Sequence, residues 1–480
     1  MDQRLARPLY IDGTWHSSAS PDTIAVVNPA TEAVLANATA GCGADVDKAV
    51  RAAGRAFETW SQTVLEERLA LLNRISAGIG ARAGELAETI TSEMGCPIGF
   101  AKTAQIGLPM GDIRFTLEAA AALSDRKIGR SVVQNDPVGV VAAITPWNFP
   151  LHQIMAKVAP ALAAGCTVVL KPSEVTPLDA MLLAEIFHDA GTPAGVFNLI
   201  VGGRETGEAL VSHAGIDMIS FTGSTRGGRA VALAGAKGLK KVALELGGNS
   251  ANIILDDADL EKAIPASLGQ AFINSGQVCA ALSRLIVPEN RRKEIEALAV
   301  EAAKSWTLGD PMESTTRLGP LANRGQQERV RQAITGALSD GARLLTGGAE
   351  QPKNQPRGAY IAPTILSDVR PGMAIAREET FGPVLSIIGY SDETEAIHIA
   401  NDSDYGLSGG VWSGNEARMT AVARRMRTGQ VILNGAQLDL AAPFGGFKQS
   451  GLGRENGIYG LEEYLAPKAI TFPAAPAAKG

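Results

Sequence analysis

One cysteine of this sequence, Cys279, stands in a setting that suits covalent catalysis. It ends the run Asn274-Ser-Gly-Gln-Val-Cys279, a small turn whose glycine leaves a thiol open to an incoming carbonyl group. A thiol is a weak nucleophile at its ordinary pKa, so we expect the surrounding site to help ionise Cys279. Most lone cysteines are small buried apolar residues, and the assignment therefore depends on the other motifs of the chain.

Four turns with polar or glycine residues follow four apolar, strand-like runs. They are Pro146-Trp-Asn-Phe-Pro150, Lys171-Pro-Ser-Glu174, Gly202-Gly-Arg-Glu-Thr-Gly207 and Phe221-Thr-Gly-Ser224. Each alone is compatible with a simple turn, a surface lysine or a helix cap, and the third is not a GxGxxG motif. Because open α/β sheets bind ligands at the carboxyl ends of their strands, the succession favours a nucleotide with a pyrophosphate group.

The elements that must position these turns alternate between apolar strands and helices. Residues 45–93 have helical periodicity, and a second helix starts at Glu66. Strands are predicted from Val138 to Ile144 and at 166–170, 196–201 and 218–221, with helices over 157–164 and 178–190 between them. Near-continuous apolar strands of this kind indicate a parallel sheet covered on both faces, so the fold class is α/β and doubly wound.

A second α/β region begins near Leu246, with strands predicted at 251–254, 285–287 and 429–433. Two isolated strands, 127–133 and 468–472, are predicted to pair as a small appendage that joins another subunit.

Composition excludes several classes of function. The 480 residues are 45% hydrophobic and 20% charged, and the net charge of −6 is interspersed, without the basic stripe of a nucleic-acid or membrane-surface protein. Met1–Tyr10 has no hydrophobic signal core, and Val158–Leu170 is shorter than the about 20 residues that cross a bilayer. The tail from Pro473 is expected to be frayed.

The cysteines and histidines are scattered along the chain. Cys42, Cys96, Cys166 and Cys279 include no CxxC pair, which fits a reducing compartment, and we expect a cytoplasmic protein. The five histidines form no HExxH or paired spacing, and no metal site is predicted.

The motifs in order resemble the aldehyde dehydrogenase superfamily, in its hydrolytic, NAD(P)-dependent form. Besides the turns at 146–150 and 221–224 and the Cys279 run, the resemblance rests on Leu244-Glu-Leu-Gly-Gly248, Glu378-Glu-Thr-Phe-Gly-Pro383 and Pro443-Phe-Gly-Gly-Phe-Lys-Gln-Ser-Gly451. It covers nearly all of residues 10–472. The resemblance implies a Rossmann-like NAD-binding domain (1–122 and 139–245), an α/β catalytic domain (246–442) and a small β oligomerisation arm (123–138 and 466–480).

The resemblance also implies the catalytic roles. Cys279 adds to the aldehyde carbon, and the side-chain amide of Asn148 with the Cys279 N–H forms the oxyanion hole. Glu245 activates the water that hydrolyses the thioester, and its position after an apolar strand suits a pKa raised by partial desolvation. Lys157 matches a lysine that helps to relay protons, although a plain helix-face lysine is compatible with the sequence.

The cofactor implied is NAD rather than NADP, because a carboxylate at Glu174 accepts from a ribose diol and repels a 2′-phosphate. Lys171 and Glu174 match ligands of the adenosine ribose, Ser224 of the pyrophosphate, and Glu379, beside Phe381, of the nicotinamide ribose. The complete set of predicted cofactor residues is Ile144, Thr145, Pro146, Trp147, Lys171, Ser173, Glu174, Gly203, Gly207, Phe221, Ser224, Glu245, Leu246, Gly247, Glu379 and Phe381.

Three departures from the family pattern limit these assignments. The glycine turn at Gly202 is one residue shorter than usual, Ala466 replaces a glutamate found in some members, and the loop before Pro443 lacks an aromatic residue. We therefore expect no proton relay from the C-terminal segment.

The resemblance also places the aldehyde pocket, whose mainly apolar lining favours medium aliphatic or aromatic aldehydes. By position it comprises Phe149, Gln153, Ala156, Ile273, Val278, Ala280, Leu438 and Phe444. The expected partner is a small-molecule aldehyde, with no nucleic acid and no membrane, and the expected assembly is a homodimer or homotetramer.

Two other functions stay open. A CoA-acylating semialdehyde dehydrogenase of the same fold generally lacks the base at Glu245, and a non-catalytic structural or binding member would not need Cys279, Glu245 and Asn148 together.

Overall fold

The structure is a computed structural model that describes residues 8–473, so the predictions for residues 1–7 and 474–480 lie outside it. The strands are β1 Leu9–Ile11, β2 Thr14–His16, β3 Thr23–Val27, β4 Val34–Thr39, β5 Arg126–Ile128, β6 Ser131–Pro137, β7 Val140–Ile144, β8 Thr167–Lys171, β9 Phe197–Leu199, β10 Met218–Thr222, β11 Lys241–Glu245, β12 Ala251–Ile254, β13 Arg284–Pro288, β14 Arg343–Thr346, β15 Thr364–Ser367, β16 Val384–Tyr390, β17 Gly409–Trp412, β18 Ile432–Leu433, β19 Gly451–Leu452 and β20 Leu465–Thr471.

The α-helices are α1 Gly43–Trp60, α2 Leu65–Ala81, α3 Ala83–Met94, α4 Ile98–Phe100, α5 Ile106–Ala122, α6 Pro150–Ala164, α7 Leu178–Asp189, α8 Arg204–Ser212, α9 Thr225–Lys237, α10 Leu260–Phe272, α11 Arg292–Ala303, α12 Arg324–Ser339, α13 Ala374–Arg377, α14 Glu393–Asn401, α15 Glu416–Ala423 and α16 Gly457–Glu462. A π-helical turn, Ala101–Gln105, joins α4 to α5, and a 3-10 turn, Ile273–Gly276, follows α10.

The first sheet has the order β19-β11-β10-β7-β8-β9-β1-β2, and its five central strands are parallel. Strands β7 and β8 are buried along their whole length, and α6 beside them is almost entirely buried. This burial explains their unbroken apolar sequences, because a central parallel strand has no face in water. The predicted doubly wound α/β sheet is confirmed.

The second sheet has the order β14-β15-β16-β13-β12-β17-β18, with β14 antiparallel to an otherwise parallel set. The strands predicted at 251–254 and 285–287 are confirmed as β12 and β13. The strand predicted over 429–433 is shorter, since β18 contains only Ile432 and Leu433. Separate apolar cores lie against the two sheets. The domain boundaries named above stay predictions.

The appendage differs from the prediction in one detail. The strand expected over 127–133 is a hairpin of β5 and β6, because Gly129 takes a left-handed φ of 59° and reverses the chain. Strand β20 pairs with β6 in antiparallel register, with Ile470 opposite Val132. The predicted pairing of the two segments is therefore confirmed, and β5 and β20 form the edges of this three-stranded sheet.

Within residues 8–473, no helix combines the length and the apolar character needed to span a membrane. All four cysteines are free thiols. In the same part of the chain, no cluster of three or more His, Cys, Asp or Glu side chains is placed to hold a metal ion.

Candidate active site

The turn that presents Cys279 has an unusual backbone. After α10 the chain enters the left-handed region at three successive residues, Asn274, Ser275 and Gly276, with φ of 55°, 56° and 71°. Residues with a side chain rarely adopt this conformation, and it persists only where neighbouring contacts hold it. One such contact is the Ser275 hydroxyl, which donates to the backbone oxygen of Gly319 at 2.9 Å.

Gly276 also allows the turn to lie directly on a second loop of the site. A Cβ atom at this position would be 2.0 Å from the backbone oxygen of Gly382, which is far shorter than a van der Waals contact between two non-bonded atoms. The neighbour of Gly382, Phe381, has a positive φ of 53°. The loop of Cys279 and the loop of Phe381 therefore hold each other in place through backbone contact.

Asn148 is fixed against the Cys279 turn from both sides. It follows β7 at the carboxyl edge of the first sheet, and its Nδ2 donates to the backbone oxygen of Gln277 at 3.0 Å. Its own backbone oxygen accepts from Gln105 Nε2 at 3.0 Å and from Asn274 Nδ2 at 2.9 Å. Since the amide has two N–H groups, the bond to Gln277 leaves one for a ligand.

Gln105 was not predicted from the sequence, although it supports Asn148 directly. It lies at the end of the π-helical turn, fully buried, far from Asn148 along the chain. A π-helical turn shifts the side chains that follow it around the helix axis, and such turns recur at functional sites. A glutamine beside an apolar run is the sequence feature that could have indicated Gln105. Its hydrogen-bond partner, Asn148, cannot be identified without the tertiary fold.

Glu245 ends β11, where the sequence places it, and is buried with 5% exposure. Neither oxygen of its carboxyl group has a hydrogen-bond partner among the described residues. Burial raises the pKa of Glu245 well above its ordinary value, and the nearby Glu455 raises it further, while Lys157 opposes them. The expected direction of this pKa is confirmed. An unpartnered buried carboxyl group is free to exchange a proton with water or a thiol.

Lys157 is fully buried and paired. Its ammonium group forms an ion pair with Glu455 and donates to Thr222 Oγ1 at 2.6 Å. Glu455 precedes Tyr464, so it lies outside the segment around Ala466 from which no proton relay is expected, and that expectation stays a prediction. A buried lysine requires an opposite charge, but the sequence alone does not identify which acid supplies it.

The thiol of Cys279 differs from the sequence-based expectation. Burial raises its pKa well above the usual range, and the carboxyl groups of Glu379, Glu245 and Glu455 raise it further. The direction of this pKa is opposite to the prediction that the site helps to ionise the thiol. A thiol with a raised pKa requires a neighbouring group that takes its proton before it can act as a nucleophile.

Cys279 opens onto a cleft of about 770 Å³ between the two sheets. Of the predicted site residues, the lining includes Pro146, Trp147, Asn148, Ser224, Leu246, Gly247, Cys279, Glu379 and Phe381. It also includes residues that were not predicted, among them Arg226, Gln326 and Arg329. Gln326 donates through Nε2 to the backbone oxygen of Phe381 at 2.8 Å and so supports the strained Phe381 backbone.

One end of the cleft is the start of α9. Ser224 is the N-cap of this helix, and its hydroxyl oxygen accepts from the Gly227 N–H at 3.2 Å. A helix N-terminus carries partial positive charge and free N–H groups, which favour a phosphate. The other end has aromatic walls, since the rings of Trp147 and Phe381 meet edge to face at 5.4 Å.

A second group of predicted cofactor residues lies at the ends of β8 and β9. Lys171 is buried, and its Nζ donates to the backbone oxygens of Gly202 at 2.7 Å and Pro172 at 3.0 Å. Glu174 is half-exposed, with its carboxylate 3.7 Å from Lys171. Burial lowers the pKa of Lys171, and Glu174 partly offsets that effect. The predicted residues that do not line the cleft are Ile144, Thr145, Lys171, Ser173, Glu174, Gly203, Gly207, Phe221 and Glu245.

None of the eight predicted aldehyde-pocket residues lines this cleft. Phe149 and Gln153 are buried on α6 or at its start, and Ala156 borders a separate small pocket beside Asp112 and Leu440. Ile273 and Leu438 are exposed. The remaining three are half-buried: Val278, Ala280 and Phe444.

A histidine–aspartate pair lies beside Phe149, one of the predicted pocket residues. His152 Nδ1 is 2.6 Å from Asp112 Oδ2, and the His152 ring meets that of Phe149 edge to face at 6.2 Å. Burial alone would lower the pKa of His152, but the Asp112 carboxylate outweighs burial and raises it. This pair could not be predicted from local sequence patterns, because the partners are 40 positions apart.

Comparisons with known proteins all identify aldehyde dehydrogenases as similar to this chain. The model of the Aldehyde dehydrogenase family matches residues 15–470. A 3-succinoylsemialdehyde-pyridine dehydrogenase from Pseudomonas sp is 50% identical over 472 residues, which cover 97% of this chain and 98% of the relative.

Two solved structures are similar over almost their whole length. A mutant of aldehyde dehydrogenase C from Pseudomonas syringae, in complex with NAD+ and octanal, has a TM-score of 0.98 and 48% identity, with 99% of each chain covered. An indole-3-acetaldehyde dehydrogenase mutant from P. syringae, in complex with NAD+ and IAA, has a TM-score of 0.94 and 37% identity, with 97% of each chain covered.

The close contact at Gly276 predicts the effect of a single methyl group. Gly276→Ala combines a left-handed residue with a clash against Gly382, and we expect it to destabilise the fold by at least about 2 kcal/mol. Gly269→Ala in α10 is the matched control, because a Cβ there meets no atom within 4 Å and should change stability by no more than about 1 kcal/mol. Thermal denaturation measures both, and equal melting temperatures would contradict the account of the turn.

The raised pKa of Cys279 predicts how its alkylation depends on pH. Glu379→Gln removes the carboxylate that contributes most among the charges, so the thiol pKa should fall and iodoacetamide should modify Cys279 severalfold faster at a given pH. Glu378→Gln alters the adjacent, exposed residue and should leave the rate unchanged. Mass spectrometry across a pH series follows Cys279 specifically, and identical profiles for both variants would refute the electrostatic explanation.

Proposed function

The chain belongs to the aldehyde dehydrogenase family, and we propose that it oxidises an aldehyde to the carboxylic acid with NAD, using Cys279 as the nucleophile. One observation carries the assignment of roles. Cys279 and Asn148 line the same cleft, and the unpartnered carboxyl group of Glu245 is close enough to raise the pKa of the Cys279 thiol. A nucleophile, an oxyanion donor and a base are thus gathered at one point.

The cleft fits NAD. Its volume suits a dinucleotide, the start of α9 with Ser224 suits the pyrophosphate, and Trp147 and Phe381 form walls for a planar ring. A Cβ on Gly247 would be 2.3 Å from Glu379, so this glycine lets the Glu379 carboxylate face the cleft, where we place it on the nicotinamide ribose. Held by these residues, NAD would supply the acceptor for the hydride that leaves the aldehyde carbon when the Cys279 adduct becomes a thioester.

Lys171 and Glu174 are proposed ligands of the adenosine ribose. The half-exposed carboxylate of Glu174 accepts from two hydroxyl groups and repels a 2′-phosphate, which supports NAD over NADP. The interior contacts of Lys171 hold it next to the Gly202 turn.

In the first half of the reaction, Glu245 takes the proton of the Cys279 thiol, directly or through a water molecule. The sulfur then forms a bond to the aldehyde carbon, and the electron pair of the carbonyl π bond moves to oxygen. The free N–H of the Asn148 amide and the Cys279 N–H stabilise that oxygen. Removing one such donor typically costs about 3 kcal/mol in the transition state.

In the second half, water attacks the Cys279 thioester. Glu245 accepts a proton from the water, the carbon–sulfur bond breaks, and the carboxylic acid leaves. The Lys157–Glu455 pair interacts electrostatically with Glu245, because the charge of Glu455 raises the Glu245 pKa and that of Lys157 lowers it. We propose that this pair carries a proton away from Glu245 after the thiol has been deprotonated, so that Glu245 can accept a second proton from water, and again after the thioester has been hydrolysed.

Medium aliphatic or aromatic aldehydes are the proposed substrates. The related proteins above are named for a pyridine-bearing semialdehyde and for indole-3-acetaldehyde, and one was crystallised with octanal. The eight proposed pocket residues include no arginine that would bind a distal carboxylate, so succinate semialdehyde is disfavoured.

A homodimer or homotetramer is the proposed assembly, joined through the three-stranded sheet of β5, β6 and β20. The edge strand β20 is exposed from its second residue onward and carries apolar Ile470, and Phe472 beyond it is also exposed. An exposed edge with apolar side chains favours pairing with a second chain.

The four free thiols support a reducing compartment, and we place the protein in the cytoplasm.

The reaction is tested by NADH formation on a panel of aldehydes with NAD. We expect turnover with octanal and with aromatic aldehydes, and none after Cys279→Ala. Glu245→Gln should lower steady-state turnover by about 10²–10⁴-fold and should also slow the formation of the first NADH per site, because Glu245 acts as the base in both halves of the reaction. Cys42→Ser, which alters a thiol at the start of α1, is the matched control and should retain full activity.

Three outcomes would overturn the proposal. They are full activity of Cys279→Ala, a strict requirement for CoA, and a best substrate that bears a distal carboxylate.

The assembly is tested by light scattering after size-exclusion chromatography. Ile470→Asp places a charge on the exposed edge of β20 and should convert the oligomer to smaller species. Val64→Asp, at an exposed apolar residue before α2, should leave the mass unchanged. A wild-type monomer would contradict the proposed interface.

A further inference from the structure

Three segments that carry the reaction meet at one buried amide side chain, Asn249, which is 3% exposed. Asn249 directly follows the Gly247-Gly248 turn after Glu245. Its Nδ2 donates to the backbone oxygen of Glu378 at 3.1 Å, and its Oδ1 accepts from the Ser283 hydroxyl at 2.9 Å. The residue thus joins the loops of Glu245, Glu379 and Cys279.

The backbone of Asn249 is itself held from within the second sheet. Its carbonyl oxygen accepts from Arg284 Nε at 2.8 Å, and the same guanidinium group donates to the backbone oxygens of Ile399 and Ala400. Arg284 is buried, and burial lowers its pKa to about 10. Asn249 is therefore attached to a rigid support on one side and to the Glu378 peptide on the other.

Two parallel hydrogen bonds connect residues 248–249 to residues 378–379. The Gly248 N–H donates to Glu379 Oε1 at 3.0 Å, next to the bond from Asn249 to the Glu378 backbone. The first bond fixes the carboxylate, and the second fixes the peptide from which that side chain extends. Glu379 is then confined to a narrow range of rotamers before any ligand arrives, which reduces the entropy lost on binding.

We propose that Asn249 is a positioning residue that holds Glu379 in its NAD-binding orientation, an inference that rests on the function proposed above. Asn249 is not part of the cleft lining, and its side-chain contacts are with Glu378 and Ser283. Its influence on the cofactor must therefore pass through Glu379. The loss of its donor group frees the Glu378 peptide, and the Glu379 carboxylate can then leave the Gly248 N–H.

Calorimetric titration of the full-length protein with NAD tests the inference. Asn249→Asp keeps the shape and the acceptor for Ser283 but removes the donor to Glu378, and Asn249→Ala removes both without adding charge. Both variants should raise the Kd for NAD at least about tenfold, the effect of losing one charge-assisted contact, with the KM for aldehyde unchanged. Ser283→Ala preserves the bond to Glu378 and should stay within about twofold of wild type.

A double-mutant cycle separates positioning from a general loss of structure. If Asn249 acts through Glu379, Asn249→Ala should weaken NAD binding no further in a Glu379→Gln background. Additive losses, or an unchanged Kd in both Asn249 variants, would overturn the inference. A wild-type protein that fails to bind NAD or to oxidise any aldehyde would instead count against the proposed function, so the two failures are distinguishable.

Discussion

The site depends on the placement of several buried carboxyl groups around one thiol. Burial raises the pKa of Cys279, and Glu379, Glu245 and Glu455 raise it further. Burial also raises the pKa of Glu245 and of Glu379. Buried charge is costly unless it is paired, and here Lys157 supplies a fully buried positive charge that pairs with Glu455 and opposes the rise at Glu245. A raised pKa brings the neutral and charged forms of Glu245 and Glu379 closer in free energy at neutral pH, which favours proton exchange.

The backbone around this cluster is strained where the chemistry occurs. Left-handed residues precede Cys279, and Phe381 on the opposing loop is also left-handed. Contacts from neighbouring elements hold both loops: Asn148 forms hydrogen bonds with Asn274 and Gln277 of the Cys279 turn, and Gln326 donates to the Phe381 backbone. Strain of this kind is tolerated because the parallel sheets and their helices are densely buried and cannot relax with the loops.

Local sequence patterns predicted the sheet strands and the loops at their carboxyl ends, because burial on two faces dictates apolar runs such as β7 and β8. They did not predict the hairpin at Gly129, where one glycine reverses an otherwise continuous strand pattern. They also missed Gln105, Asn249, His152 and Glu455, whose partners are distant along the chain. The thiol pKa was predicted in the wrong direction, since it depends on charges brought together only by the fold.

A raised thiol pKa has a chemical consequence that a lowered one lacks. Alkylating agents and oxidants attack the thiolate, and a raised pKa lowers the thiolate fraction of Cys279 at a given pH. The reactive form arises only when a neighbouring base accepts the proton, and Glu245 can do so because its own pKa is raised and its oxygens have no partner within the described residues. Glu245, which adds to the effects of burial and Glu379 in raising the thiol pKa, therefore also provides the route by which the thiol becomes a nucleophile.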